Sequence, residues 1–307
     1  LEHILEIIKN SRKPIIIGGH GIWWSKTEHL LKRIGDEIKI PIFNVPYHQK
    51  LLNEDCEAFL GLADVHQYHP SKFAFNESDC ILMVGGKLDN QMNFGNPPLF
   101  PSDTKLICVN GSHEEIEFNR SADHLLLCDP GAFFESLLDL KHTNQWSHDQ
   151  VWLDINLKER EKWISASIAD LKKTTDSPAW SGGKIHPLQL SLSVQNVMKN
   201  DDILVFDGGN THFWSEIAVN IAGKNGLALH QIMHPGSYSM LGVGVSFALS
   251  AKSLNPSRTV VLISGDGAFL SGGLSIEAAF QENLPIVVIV DNNGGLDCIS
   301  QQQERLF

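Results

Sequence analysis

A carboxylate between two glycines, Gly265-Asp266-Gly267, and a pair of amides, Asn292-Asn293, followed by Gly294-Gly295, are the residues best suited to chemistry in this chain. Twenty-seven positions separate Asp266 from Asn293, and each group closes an apolar run, residues 259–264 and 286–290. A strand–helix–strand crossover takes about 30 residues and is right-handed, so its two strands run parallel. Both polar ends are therefore expected at the same carboxyl edge of one sheet, where open α/β sheets bind ligands. The Asp266 carboxylate, the Asn293 amide oxygen and the backbone carbonyl of Gly295 are hard oxygen donors suited to Mg²⁺. That ion takes few protein groups and completes its octahedron with phosphates and water. Taken singly, each half is a turn built of turn-favouring residues; the pairing at this spacing argues for a site. Other phosphate motifs fail: Leu270 stands where a dinucleotide fingerprint needs its third glycine, and no Gly-Lys-Ser/Thr loop occurs.

Two further segments carry suitable residues. Asp207-Gly-Gly-Asn210-Thr211-His212 follows an apolar run and opens a helix. Small residues with side-chain donors at a helix N-terminus make an anion site, although Asn210 or Thr211 would serve equally as an N-cap. Gly236 to Gly244 is glycine-rich and precedes a helix of small apolar residues. Such glycines let a helix start pass close to a ligand or to another backbone. Gly18-Gly-His20-Gly21 reads as a strand-to-helix turn. His230 and His234 have metal-pair spacing, but Pro235-Gly236 follows directly, which argues against a helix and a zinc site there. His212 and His234 both fall in loops expected to reach the same edge.

These groups need elements to hold them. A chain of 307 residues suggests two domains. Residues 1–145 alternate helical stretches with apolar runs at 13–17, 40–43, 80–84, 106–109 and 124–128, the pattern of a parallel sheet covered on both faces. Residues 146–183 read as a charged connecting helix and a linker. A second α/β unit is expected over 184–307, with a helix at 186–198, a strand at 203–206 and a helix at 213–222. The fold class is thus α/β, two doubly wound parallel-sheet domains.

The net charge of −12 argues against a nucleic-acid partner. No apolar stretch approaches a membrane span and no signal peptide precedes Leu1. The five cysteines are scattered, which fits a reducing cytosol. A cytoplasmic location is expected.

The Gly-Asp-Gly and Asn-Asn pair resembles the thiamine diphosphate signature, and residues 236–244 resemble the Gly-x-Met-Gly-x-Gly stretch of the acetolactate synthase and benzaldehyde lyase group. By these residues the chain is identified as a member of the thiamine diphosphate-dependent decarboxylase/acetolactate synthase superfamily. The resemblance implies that Asp266, Asn293 and Gly295 hold Mg²⁺, and that Asn210, Thr211, Gly265, Gly267 and Ala268 hold the cofactor. It also implies that Leu241 props the cofactor into a bent shape and that the Ser239 carbonyl accepts from its aminopyrimidine. Residues 84–98 and 266–286 are similar to 2-hydroxyacyl-CoA lyases and oxalyl-CoA decarboxylases. Asn110 stands where relatives carry an acidic residue, which weighs against a bound adenine nucleotide.

Family members have three α/β domains, and 1–145 and 184–307 look like the central and diphosphate-binding ones. The chain is then a fragment, truncated within its last domain. The pyrimidine-binding domain, with the glutamate that activates the cofactor, is expected from a partner subunit of a homo-oligomer, and the chain alone is expected to be inactive. The implied activity is cleavage or formation of a carbon–carbon bond beside a carbonyl in a 2-hydroxyacyl or 2-oxo substrate. An acetolactate synthase-type carboligase and a non-catalytic homologue are the alternatives.

Overall fold

The computed structural model describes all of the chain except residues 46–50, 53–54, 117–118, 181–182, 225–230 and 239. It divides into two compact units, Leu1–Ala166 and Ser167–Phe307.

In the first unit the strands are β1 (Pro14–Gly18), β2 (Ile42–Asn44), β3 (Phe59–Leu62), β4 (Cys80–Val84), β5 (Lys105–Asn110) and β6 (His124–Leu127). They form one parallel sheet in the order β3-β2-β1-β4-β5-β6. The helices are α1 (Glu2–Asn10), α2 (His20–Trp24), α3 (Glu28–Ile38), α4 (His69–Glu77), α5 (Pro130–Asn144) and, up to Ala166, α6 (Gln150–Thr175). Successive strand residues face opposite sides. Ile16, Leu82 and Ile107 therefore enter one core with Leu31, Ile34 and Phe133, while Ile15, Met83 and Leu106 enter a second with Phe75 and Phe100. This is the doubly wound sheet expected from the sequence.

The compact unit takes in α6 as far as Ala166, because α6 drives Leu153 into one core and Trp152 into the other. The Trp152 indole N–H also donates to the Pro14 carbonyl at 3.0 Å. The crevice where strand order reverses, between β1 and β4, is filled by backbone. The Gly21 N–H donates to the Gly85 carbonyl at 2.7 Å, and a Cβ on Gly19 would lie 2.5 Å from the Gly86 Cα. The turn at 18–21 thus has a structural reason for its glycines.

Glu37 on α3 ties that helix to α5. Its carboxylate is 2.9 Å from Arg33 Nε, 3.1 Å from Lys141 Nζ and 3.0 Å from His142 Nε2. Burial pushes this carboxyl up, but hydrogen bonds from His142, Arg33 and Lys141 overcome that and hold it at about 2, below the ordinary 4.5. A depressed folded-state pKa stabilises fully above the unfolded value and is lost as pH falls through the folded one. Glu37→Gln should therefore melt below the parent protein at pH 7, with the gap closing between pH 4.5 and 2. Melting curves across that range check it; a gap that persists at pH 2 rejects it.

The second unit has β7 (Ile203–Phe206), β8 (Gln231–Met233), β9 (Val260–Gly265) and β10 (Val287–Asp291), all parallel, in the order β10-β9-β7-β8. Its helices are α7 (Pro187–Val197), α8 (Asn210–Lys224), α9 (Gly244–Leu254), α10 (Asp266–Gly272), α11 (Glu277–Gln281) and α12 (Asp297–Leu306). Leu204, Phe206 and Ile263 pack on one face; Val205, Leu262 and Ala248 pack on the other. β8 and β3 were not expected from the sequence, and α8 begins at Asn210, three residues earlier than expected. Among the described residues no helix is long and apolar enough to cross a membrane.

Candidate cofactor site

In the second unit the strand order reverses between β7 and β9. Open α/β sheets bind ligands beyond the carboxyl ends of strands at such a point. A cavity of about 280 Å³ lies there. The start of α8 contributes Asn210 and Thr211, the turn after β9 contributes Gly265, Asp266, Gly267 and Ala268, and the loop after β10 contributes Asn293 and Gly295. Leu241 closes one side. Nine of the ten residues singled out in the sequence thus line one cavity; the tenth, Ser239, lies outside the described residues, as does His230.

Strand register explains the convergence. β9 and β10 pair in parallel with Asp291 opposite Gly265, so the residues that follow each strand emerge side by side. Asp266 Oδ2 then accepts the Gly294 N–H at 2.9 Å, joining the two halves of the motif. The Asn293 side-chain oxygen accepts the Gly295 N–H at 3.1 Å. Gly209, with φ +90°, makes the turn into α8, and Leu241 Cδ2 lies 3.6 Å from where its Cβ would be. The first residues of α8, at the positive end of a 15-residue helix, line the cavity.

The electrostatics set a condition on any anionic ligand. The Asn210 amide donates to Asp297 Oδ2 at 3.0 Å and the Thr211 hydroxyl to Asp291 Oδ2 at 3.3 Å. Burial pushes the Asp291 carboxyl up and the nearby Asp266 charge adds to this, against the Thr211 hydrogen bond. With Asp266, Asp291 and Asp297 this close, a bare diphosphate would meet repulsion, and a divalent cation would relieve it. Among the described residues no three His, Cys, Asp or Glu side chains gather around a metal position. One carboxylate, one amide oxygen and one carbonyl form a sparse oxygen set that leaves places for phosphate and water, which fits Mg²⁺ better than zinc.

Sequence reasoning missed several groups here. Leu296, Asp297, Cys298 and Ile299 at the start of α12 also line the cavity; the polar, small-residue loop before them was the available signal. His212, expected at this edge from the sequence, does line the cavity, from the first turn of α8 rather than from a loop; its Nε2 is 3.1 Å from Glu216 Oε1, both side chains are buried, and its ring centroid is 5.0 Å from that of His234.

The thiamine pyrophosphate enzyme central domain matches residues 1–137, and the thiamine pyrophosphate enzyme C-terminal TPP binding domain matches residues 207–307. The chain belongs to the thiamine pyrophosphate enzyme family. Within this family it is similar to 2-hydroxyacyl-CoA lyase 1 of Mus musculus, 26% identical over 94% of this chain and 48% of that protein. It is also similar to 2-hydroxyacyl-CoA lyase 1 of Dictyostelium discoideum, 25% identical over 96% of this chain and 52% of that protein. The acetolactate synthase large subunit of Porphyra purpurea is 25% identical over 98% of this chain and 48% of that protein. The chain spans about half the length of the curated relatives it matches. Thiamine pyrophosphate, or thiamine diphosphate, is thus the cofactor against which the cavity is to be weighed.

Proposed function

We propose that this chain supplies the diphosphate-binding half of a thiamine diphosphate- and Mg²⁺-dependent enzyme. The whole enzyme would make or break a carbon–carbon bond beside a carbonyl, acting as a lyase or decarboxylase on a 2-hydroxyacyl or 2-oxo substrate. The observation that supports this best is the convergence of Asp266, Asn293, Gly295 and the α8 N-terminus on one cavity at the switch point of the sheet. In this reading Asp266, Asn293 and the Gly295 carbonyl hold Mg²⁺. Asn210, Thr211 and the Gly265–Ala268 turn hold the diphosphate, exchanging hydrogen bonds now made to Asp297 and Asp291. Leu241 sets the bend of the cofactor, and Ser239 is retained as the proposed partner of the aminopyrimidine.

When bound, the cofactor supplies an electron sink for the carbon–carbon bond that breaks. The protein's part is to neutralise the diphosphate and hold the ring at a fixed angle. An acetolactate synthase-type carboligase is the competing activity, since relatives of both kinds match at about a quarter identity. A non-catalytic homologue fits less well, because a protein without the cofactor has no evident use for Asp266 and Asn293 at one cavity. We assign the activating glutamate to a pyrimidine-binding domain of a partner subunit in a homo-oligomer. All five cysteines are free, which suits a cytoplasmic enzyme.

Calorimetric titration with thiamine diphosphate, with Mg²⁺ and then with a chelator, tests the reading. Binding should appear with the metal and vanish without it. No binding in Mg²⁺, or equal binding in the chelator, overturns it.

A further inference from the structure

We propose that Asp207 is a positioning residue: it holds Leu241 against the cavity and so fixes the bend of the cofactor without touching it. The proposal rests on the thiamine diphosphate reading above.

Asp207 follows β7 and is fully buried, with 0% of its surface exposed. Oδ1 accepts the N–H of Gly242 at 2.9 Å and of Gly208 at 2.9 Å. Oδ2 accepts the N–H of Gly244 at 3.1 Å and the hydroxyl of Ser264 at 3.3 Å. An ionised carboxylate offers about four acceptor positions, and here four donors meet it. A buried carboxylate left unsatisfied is costly, so the arrangement holds only while all the donors stay in place. The donors come from the end of β7, the end of β9 and the turn that carries Leu241.

The described side chains of that turn do little to fix it, although its backbone at Gly242 also approaches Ser271 and Gly272 closely. Leu241 is 38% exposed, and Tyr238 and Met240 beside it are 88% and 58% exposed. Glycine at 242 and 244 gives the backbone wide freedom unless it is anchored. The carboxylate anchors the residue after Leu241 and the one two further on. The fit is close, for a Cβ on Gly244 would lie 2.7 Å from Asp207 Oδ2. Asp207 does not line the cavity, so its effect on a ligand must pass through the turn.

The test separates the ring end of the cofactor from its diphosphate end. Affinities for thiamine diphosphate and for inorganic diphosphate are measured by calorimetry in saturating Mg²⁺. The proteins are the full chain, Asp207→Asn, Leu241→Ala and the double variant. Asparagine keeps the shape but turns an NH₂ toward N–H donors. Asp207→Asn should lose on the order of 10-fold in thiamine diphosphate affinity, with diphosphate affinity within about threefold. Leu241→Ala should show the same split, and the double variant should be no worse than the weaker single. Gly244→Ala, which presses on the same carboxylate, should reproduce the split and serves if Asp207→Asn does not fold. Equal losses for both ligands, or losses that multiply in the double variant, overturn the proposal and leave Asp207 a fold-stabilising group. If the parent protein binds neither ligand in Mg²⁺, the cofactor reading itself falls and takes this role with it.

Discussion

Asp266→Ala should remove Mg²⁺-dependent binding of thiamine diphosphate, lowering the affinity by at least about 100-fold. Among the three oxygens proposed for the metal, only Asp266 carries a charge. Even outer-shell partners of a metal cost about 10–100-fold when removed, so a charged ligand should exceed that range. The fold should survive. Asp266 is partly exposed, and its fixed contacts are its own Gly267 N–H at 2.9 Å and the Gly294 N–H at 2.9 Å. Loss of the second contact should cost only about 1 kcal/mol. Asp266→Asn keeps an acceptor oxygen and drops the charge, so it should fall between alanine and the parent protein. Calorimetry at fixed Mg²⁺ and a melting curve without ligand together decide the matter. Metal-dependent affinity within threefold of the parent, in a folded Asp266→Ala protein, would end the metal assignment.

What was legible in the sequence is what one crossover dictates. The spacing of Asp266 and Asn293 implied two parallel strands ending level, and β9 and β10 do so, with Asp291 opposite Gly265. Long apolar runs such as 80–84 and 203–206 became β4 and β7 because a strand buried on both faces leaves little choice of residue. The missed strands lacked that signal. β3 is four residues long, with Gly61 at φ +111° and a register shift in its pairing with β2. β8 is three residues long and begins with Gln231. The role of Asp207 was illegible for another reason. Its partners Gly242, Gly244 and Ser264 lie 35, 37 and 57 positions away, and only the folded sheet brings them together. The same holds for Asn210 and Asp297, 87 positions apart. Local pattern could place the groups that line the cavity, but not the contacts that hold them still.

Gly272→Ala should unfold the second unit at markedly lower temperature and disable the cavity as it does so. A Cβ on Gly272 would lie 1.8 Å from the Gly242 carbonyl oxygen and 2.7 Å from its carbon. These are backbone atoms, so no side-chain rotation relieves the overlap. An ordinary carbon–oxygen contact is about 3.3 Å, which requires a shift on the order of 1.5 Å in one of the two turns. Gly242 cannot supply that shift freely, because its N–H and that of Gly244 are held by Asp207. Gly272 closes α10, whose first residue is Asp266. Movement of either turn therefore reaches the cavity, through Leu241 on one side or Asp266 on the other. Overpacking costs typically about 1–3 kcal/mol, and a clash of backbone with backbone belongs at the upper end, near 3 kcal/mol. For a unit of this size that lowers the melting temperature by roughly 10 °C. Ser271→Ala is the control. It keeps the Cβ and loses only an exposed hydroxyl bonded to the Gly267 carbonyl at 2.9 Å, so its melting temperature should barely move. If Gly272→Ala melts within 2 °C of Ser271→Ala and binds thiamine diphosphate as the parent does, the close approach of the two turns does not constrain the site.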